Sequence, residues 1–309
     1  MNYEQLEQAR LAIQNKEKKI NDIFLTIFFG FIAVILIVSA ITSFSAGTET
    51  SIFTFGFSTF AMLFPFVFFL IIPYLIVRLF ATSAETAAYR DAYKSYFITA
   101  TFNKIFTNLS YSHTSAMPKE YVSGTGMMNM GDLYSSNDYT VAKYKGIPFK
   151  QADVHLQNES TDSDGNTTYH TIFRGRYVIF DYNKKFDKKL LVVGKNFDNS
   201  KIDKTFKKIQ LESNEFNKNF YVYAQDGFEA YYLLDPAVME RIMKLDDLHN
   251  GRVMVCFLNN QIHIAINNNT DSFEPASYKK PIDEKHEFNK VMNDIKVITN
   301  IIDEIKLVK

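Results

Sequence analysis

The chain has 309 residues, and its 34 basic and 34 acidic side chains cancel to a formal net charge of zero. That balance argues against a generally basic nucleic-acid binder. A single cysteine, Cys256, excludes an internal disulfide and fits a reducing compartment. It sits in the apolar run Val253–Leu258, where a buried, inert thiol is expected.

Two uncharged apolar runs, Ile23–Phe44 and Ile52–Val77, dominate the N-terminal part. As helices they reach roughly 33 and 39 Å, against a hydrocarbon core of about 30 Å. Arg10, Lys16, Lys18 and Lys19 precede the first run, and Arg78, Arg90 and Lys94 follow the second. The connecting loop Ser45–Ser51 carries only Glu49. The positive-inside rule therefore predicts a multi-pass protein of the inner (plasma) membrane with both termini in the cytoplasm. A cleaved signal peptide processed near Ser43–Gly47 is the alternative; the long polar prelude and the second run weigh against it. The expected organisation is a cytoplasmic segment 1–22, transmembrane helices 23–44 and 52–77 joined by an extracytoplasmic loop 45–51, a membrane-proximal helix 78–116 and a cytoplasmic domain 117–309. Pro65 and Pro73 each remove a backbone donor and predict a kink. With no ionisable residue inside either run, an anchor is favoured over an ion path. The chain has no tryptophan, so Tyr74 and the flanking charges are left to set membrane depth.

Neither Pro nor Gly occurs from Tyr74 to Ala116, and apolar residues from Tyr89 to Leu109 recur at helical spacing. Met117–Lys143 reads as irregular. Its glycines, Gly124, Gly126 and Gly131, lack the Lys-Ser/Thr pair of a phosphate loop. Strands are predicted at Pro148–Gln157 and Thr167–Tyr182, joined by the polar stretch Asn158–Asn166. Asp162, Asp164 and Asn166 resemble the start of a calcium loop, but Thr167 and Phe173 stand where that loop needs Gly and Glu. Further strands are expected at Leu190–Gly194, Tyr221–Ala224 and Glu229–Leu234. Asp235-Pro236 opens an amphipathic helix that Asn250-Gly251 stops. Arg252–Leu258 and Gln261–Asn267 flank the hairpin turn Asn259-Asn260. In the last helix, Asp283–Val308, the residues Val291, Ile295, Ile298, Ile302 and Ile305 are spaced like a coiled-coil seam. The fold class is thus α+β: two N-terminal transmembrane helices, then a cytoplasmic antiparallel-sheet domain with a long C-terminal helix. Intramolecular packing is favoured for that helix, with a homo-oligomer through 283–308 as the other use of the seam.

Phe173-Arg174-Gly175, Glu215-Phe216, the run Phe220–Asp226 and the run Glu229–Arg241 follow one another in an order that resembles the bacterial membrane family catalogued as domain-of-unknown-function family 3137. The resemblance implies two N-terminal membrane helices and a cytoplasmic α+β domain. Asp235 replaces the family's usual Thr before Pro236 and keeps the capping chemistry. The family supplies no mechanism and no catalytic residues.

His113, His155, His170, His249, His263 and His286 lack metal-ligand spacing, so neither a metal nor a cofactor is expected. Glu212, Glu215, Asp226, Glu229 and Glu240 form the best pool for acid–base chemistry, although carboxylates near turns are usually solvated or paired. Charge is unevenly spread: nine lysines against three aspartates between Lys184 and Lys208, then six acids against Arg241 and Lys244 between Ala224 and His249. Solvated faces are the default. For a domain tethered at the inner leaflet, Lys184, Lys185, Lys188, Lys189, Lys207 and Lys208 are the candidate contacts to anionic lipid. The function expected is a membrane-anchored binding or scaffolding protein with lipid and protein or peptide partners. The alternatives are a membrane enzyme using Asp226, Glu229 or Glu215, and a subunit of an oligomeric transport assembly.

Overall fold

A computed structural model describes residues 2–45, 67–182, 184–186, 188–197, 202 and 204–306. Residues 46–51 of the connecting loop, Pro65 and the second apolar run as far as residue 66 lie outside them. The chain forms two compact units, Met1–Tyr96 with Pro275–Asp283, and Phe97–Glu274 with Glu284–Lys309.

The first unit is helical. Helix α1 (Tyr3–Ser45) joins the polar N-terminal segment and the first apolar run without a break. A π-turn at Val67–Ile71 leads into α2 (Ile72–Ala81) and α3 (Ser83–Tyr93), with Pro73, which has no amide to donate, in the first turn of α2 just after the π-turn. Two stretches, Tyr3–Ile41 and Phe68–Ile105, are long and apolar enough to cross a membrane. α1 runs antiparallel to α2 and α3: Lys16 Nζ lies 2.6 Å from Glu85, the Tyr74 hydroxyl donates to Asn21 Oδ1 at 2.6 Å, and the Phe24 and Tyr74 rings stack at 3.9 Å. The segment Pro275–Asp283, which no sequence signal marked, packs here. It has no ladder of its own, so side chains satisfy its carbonyls. Arg10 and Gln14 donate to Tyr278 O at 3.0 and 2.9 Å, Tyr89 to Ala276 O at 3.0 Å and Tyr3 to Ile282 O at 3.1 Å.

The second unit opens with α4 (Ala100–Ile105), where the helix predicted to reach residue 116 ends. Phe106 turns to an extended conformation and Thr107–Ser112 becomes the edge strand β1. After the short α5 (Lys119–Ser123) come β2 (Leu133–Tyr144), β3 (Ile147–Thr161), β4 (Thr167–Asp181), β5 (Leu190–Gly194) and β6 (Lys207–Ile209). Then follow α6 (Asn214–Asn219), β7 (Phe220–Ala224), α7 (Gly227–Leu233), α8 (Pro236–Leu248), β8 (Val253–Leu258), β9 (Gln261–Ile266) and α9 (Glu284–Lys306). Among the described residues the strands make one nine-stranded antiparallel sheet in the order β1-β2-β3-β4-β9-β8-β5-β7-β6.

Two further expectations are corrected. Strand β2 crosses a stretch expected to be irregular; its alternation is polar and a bulge between Asn137 and Thr140 breaks its period. Gly131 presses on β3 just before it, where a Cβ would stand 2.4 Å from Gln157 O, so that glycine serves close packing and not a phosphate. Glu229–Leu234, where Tyr231 and Tyr232 favour a strand, is instead helix α7: Asp226 accepts from Phe228 N at 3.1 Å, and Ala230 and Leu233 turn inward one turn apart. Val291, Ile295, Ile298, Ile302 and Ile305 of α9 are all buried inside this chain, the intramolecular packing favoured for that stripe, so these residues leave no open seam for a homo-oligomer through 283–308.

One face of the sheet carries Val154, Leu156, Tyr177, Leu191 and Cys256, covered by Met117, Val122 and Met127 of the connecting segment. His263 shares this interior, its Nδ1 3.0 Å from the Tyr177 hydroxyl. Burial, and then the charges of Lys150 and Lys189, bring its pKa from 6.5 down to about 4. The neutral ring's contribution is therefore complete above pH 6.5 and lost as pH falls toward 4, an effect on the order of 3 kcal/mol. His263→Asn is expected to flatten the fall in unfolding midpoint between pH 7 and pH 4.5 relative to the unaltered chain.

Candidate functional site

The charged segments singled out in the sequence meet at the β6 end of the sheet, around α7. Inward placement of Ala230 and Leu233 turns three aromatic side chains outward: Phe228, Tyr231 and Tyr232 are 76%, 54% and 44% exposed. The Phe228 and Tyr232 rings lie parallel with centroids 6.4 Å apart. The Tyr231 hydroxyl donates to Gln210 O at 3.2 Å, which pins the helix beside β6.

Lysines frame these rings. Lys188 Nζ sits 2.8 Å from Asp226, the residue that caps α7. The pair raises the lysine and holds the aspartate below the usual carboxylate range, with the Phe228 amide adding to the second effect. Lys184 bonds Asp235 at 2.8 Å and lies 5.3 Å from the Tyr232 ring. Asp235 also caps α8 through Val238 N at 3.0 Å. Burial pushes its carboxyl up, but Lys184 and the helix amides outweigh that and hold it low. Lys207, exposed on β6, adds its positive charge near Asp226.

Strand alternation divides the six predicted lysines. Lys207 pairs in register with Ala224, which pairs in turn with Leu190, placing it on the α7 side, and Lys188 precedes Leu190 with the same parity. Lys208 falls opposite, its ammonium 3.8 Å from the Tyr221 ring, and Lys189 donates to Gly124 O at 2.6 Å. Lys185 is exposed and has no ion-pair partner among the described residues. Lys184, Lys188 and Lys207 thus gather with the aromatics, while Lys189 and Lys208 do not. A period-two count from Leu190 could have separated them; the aromatics themselves were hidden by the strand assignment.

The acidic pool does not converge. Asp226 is capping and paired, Glu229 lies on α7 near Lys188, Glu215 starts α6 and Glu240 is on α8.

A polar cavity of about 230 Å³ lies elsewhere in the sheet, lined by Ser135, Asn137, Asp153, His155, Arg174 and Asp271 among others. None of Glu212, Glu215, Asp226, Glu229 and Glu240 lines it. Beneath it Arg176 Nε meets Asp153 Oδ1 at 3.1 Å with both side chains buried. Burial pushes the Asp153 carboxyl up, and the guanidinium and the Ser272 amide pull it back toward ionisation. Beside the cavity, Asp138, Asp271 and Glu274 bring oxygens within 4.8 Å of one another, the grouping that could hold a cation. Those carboxylates already have partners: Tyr111 donates to Asp138, Asn137 to Asp271 at 3.0 Å, and Arg174 lies 3.9 Å from Asp271. His155, the histidine of this cavity, faces Thr171 Oγ1 at 3.0 Å and contributes no oxygen or nitrogen to that trio.

Fold and surface together define an antiparallel-sheet domain following a helical hairpin, with an exposed aromatic and basic face and no converging catalytic set among the described residues. Residues 171–307 match the family described as protein of unknown function (DUF3137), which the chain resembles over β4 to α9. No curated protein matches. Among solved structures, the crystal structure of the mycobacterial trehalose monomycolate transport factor A, TtfA, is a distant likeness: 8% identity over 71% of this chain and 97% of that one, with a TM-score of 0.37.

Proposed function

We propose that this chain is a membrane-anchored binding protein whose folded domain docks on anionic lipid of the inner leaflet through α7. Both helical stretches span the inner membrane, with the two termini on the cytoplasmic side, as the flanking positive charges favour. The observation that carries this reading is the outward display of Phe228, Tyr231 and Tyr232 beside Lys184, Lys188 and Lys207. Burying such aromatics in the domain's own core would stabilise it; exposed together, they suit an interface with an apolar interior and a polar margin. Headgroup phosphates attract lysines by about 1 kcal/mol each near the surface, and aromatic rings settle at the headgroup level. The tether adds a high effective concentration, so weak contacts suffice.

Hydrogen exchange on the full-length protein tests this in nanodiscs of phosphatidylglycerol and of phosphatidylcholine. Amides of 226–233 are expected to exchange more slowly in the anionic discs, and Phe228→Ser to abolish the difference. Lys207→Gln should lower the docking equilibrium constant roughly fivefold. Equal exchange in both discs contradicts the proposal.

A further inference from the structure

The geometry points to a second lipid site, within the helical hairpin: we propose that the cleft between α1 and α2 holds one acyl chain of an anionic phospholipid whose phosphate is bound by Lys19 and Arg78. Ile20, Ile23, Phe24 and Ile27 of α1 face Leu70, Pro73, Tyr74 and Val77 across a cleft of about 240 Å³. Its lining is apolar; the one hydroxyl, that of Tyr74, is engaged with Asn21. The far wall crosses the junction between the π-turn Val67–Ile71 and α2, where Pro73 also lacks an amide. A π-turn rotates the side-chain rows that follow it, so the two helices do not interdigitate there as regular ridges and grooves would. An apolar cavity of this kind excludes water, and in a bilayer an acyl chain supplies the dispersion contacts that its walls otherwise lack.

The occupant follows from the charges at one end of the cleft. Lys19 stands one helical turn before Ile23, and Arg78 one turn after Tyr74, so each continues a row of cleft-lining side chains. Both are exposed, and neither forms an ion pair among the described residues. Lys16, on the same row as Ile20, is committed to Glu85. A basic pair at the mouth of an apolar cleft between membrane helices is the arrangement that selects an anionic headgroup. This site is separate from the α7 face and rests only on the part of the proposed function that puts the hairpin in a membrane.

Native mass spectrometry of the full-length protein in mild detergent, titrated with phosphatidylglycerol or phosphatidylcholine, tests it. The expected result is one saturable phosphatidylglycerol adduct, retained roughly tenfold or more over phosphatidylcholine. Lys19→Gln with Arg78→Gln should erase the preference, and Ile27→Trp, which fills the cleft, should weaken both lipids while the protein stays folded by circular dichroism. A ladder of equivalent adducts, indifference to these substitutions, or a second copy of the chain in place of lipid would overturn the site. Alkaline carbonate extraction of native membranes separates the two levels. Release of the protein overturns the membrane reading and this site with it; retention without a saturable adduct overturns this site alone.

Discussion

Arg176→Met is expected to destabilise the sheet unit by about 3 to 5 kcal/mol, because it strands a buried carboxylate. Arg176 is almost fully buried and reaches three elements: its guanidinium contacts Asp153 on β3, donates to Asp294 O on α9 at 3.3 Å and lies 4.6 Å from the Phe273 ring. Once it is removed, Asp153 keeps only the Ser272 amide, at 3.0 Å, as a hydrogen-bond donor among the described residues. The loss measures an orphaned charge rather than the worth of the pair, so Asp153→Leu combined with Arg176→Met should recover much of it. Cys256 supplies the readout on the intact protein. Its side chain is buried, and burial pushes the thiol pKa well up, so a maleimide reaches it only through opening of the sheet. Arg176→Met should lower the urea midpoint for labelling sharply, and the double variant should restore most of the shift. Equal midpoints for Arg176→Met and the unaltered chain contradict a buried-charge role.

Gly175→Val is expected to be comparably damaging, about 3 to 5 kcal/mol, at the upper end of single-substitution effects. A Cβ at Gly175 would stand 2.0 Å from Ile266 O and 2.8 Å from Asn268 Oδ1. Both belong to the end of β9 and the turn after it, where Asn267 Oδ1 accepts from Arg174 N at 3.1 Å and Asn269 N donates to Arg174 O at 2.8 Å. Backbone cannot move aside as a flexible side-chain tip can, so β4 and β9 must part. The same Cys256 labelling measures this, with the expected shift opposite in origin: steric, and insensitive to pH. A midpoint within error of the unaltered chain would show that the strands tolerate a side chain here.

These two positions explain why the Arg174-Gly175 motif could be noticed in the sequence but not interpreted. Its glycine answers to a chain segment some ninety residues later, and no local pattern encodes that approach. Where the decisive contact is local, the sequence was sufficient. Asn259 and Asn260, both at positive φ, join β8 to β9 as a two-residue turn, and Asp235 caps the helix that Pro236 begins. The α9 seam was legible as a stripe, but whether a sheet or a second chain covers it depends on the rest of the fold. α7 shows the opposite failure. Tyr231 and Tyr232 favour a strand by composition, yet the Asp226 cap and the inward Ala230 and Leu233 select a helix. That switch of period moves Phe228 and both tyrosines to the surface, and with them the site proposed for lipid. The segment Pro275–Asp283 carried no signal because its partners are side chains of α1 and α3, far away in sequence.

The absence of tryptophan makes the docking claim directly measurable. Phe228→Trp places a lone reporter at the most exposed ring of α7 in the full-length protein. In phosphatidylglycerol nanodiscs its emission should shift to the blue and be quenched by lipids brominated near the headgroup, with both effects reversed by high salt. Emission typical of water, unquenched by brominated lipid at low salt, would contradict docking through α7.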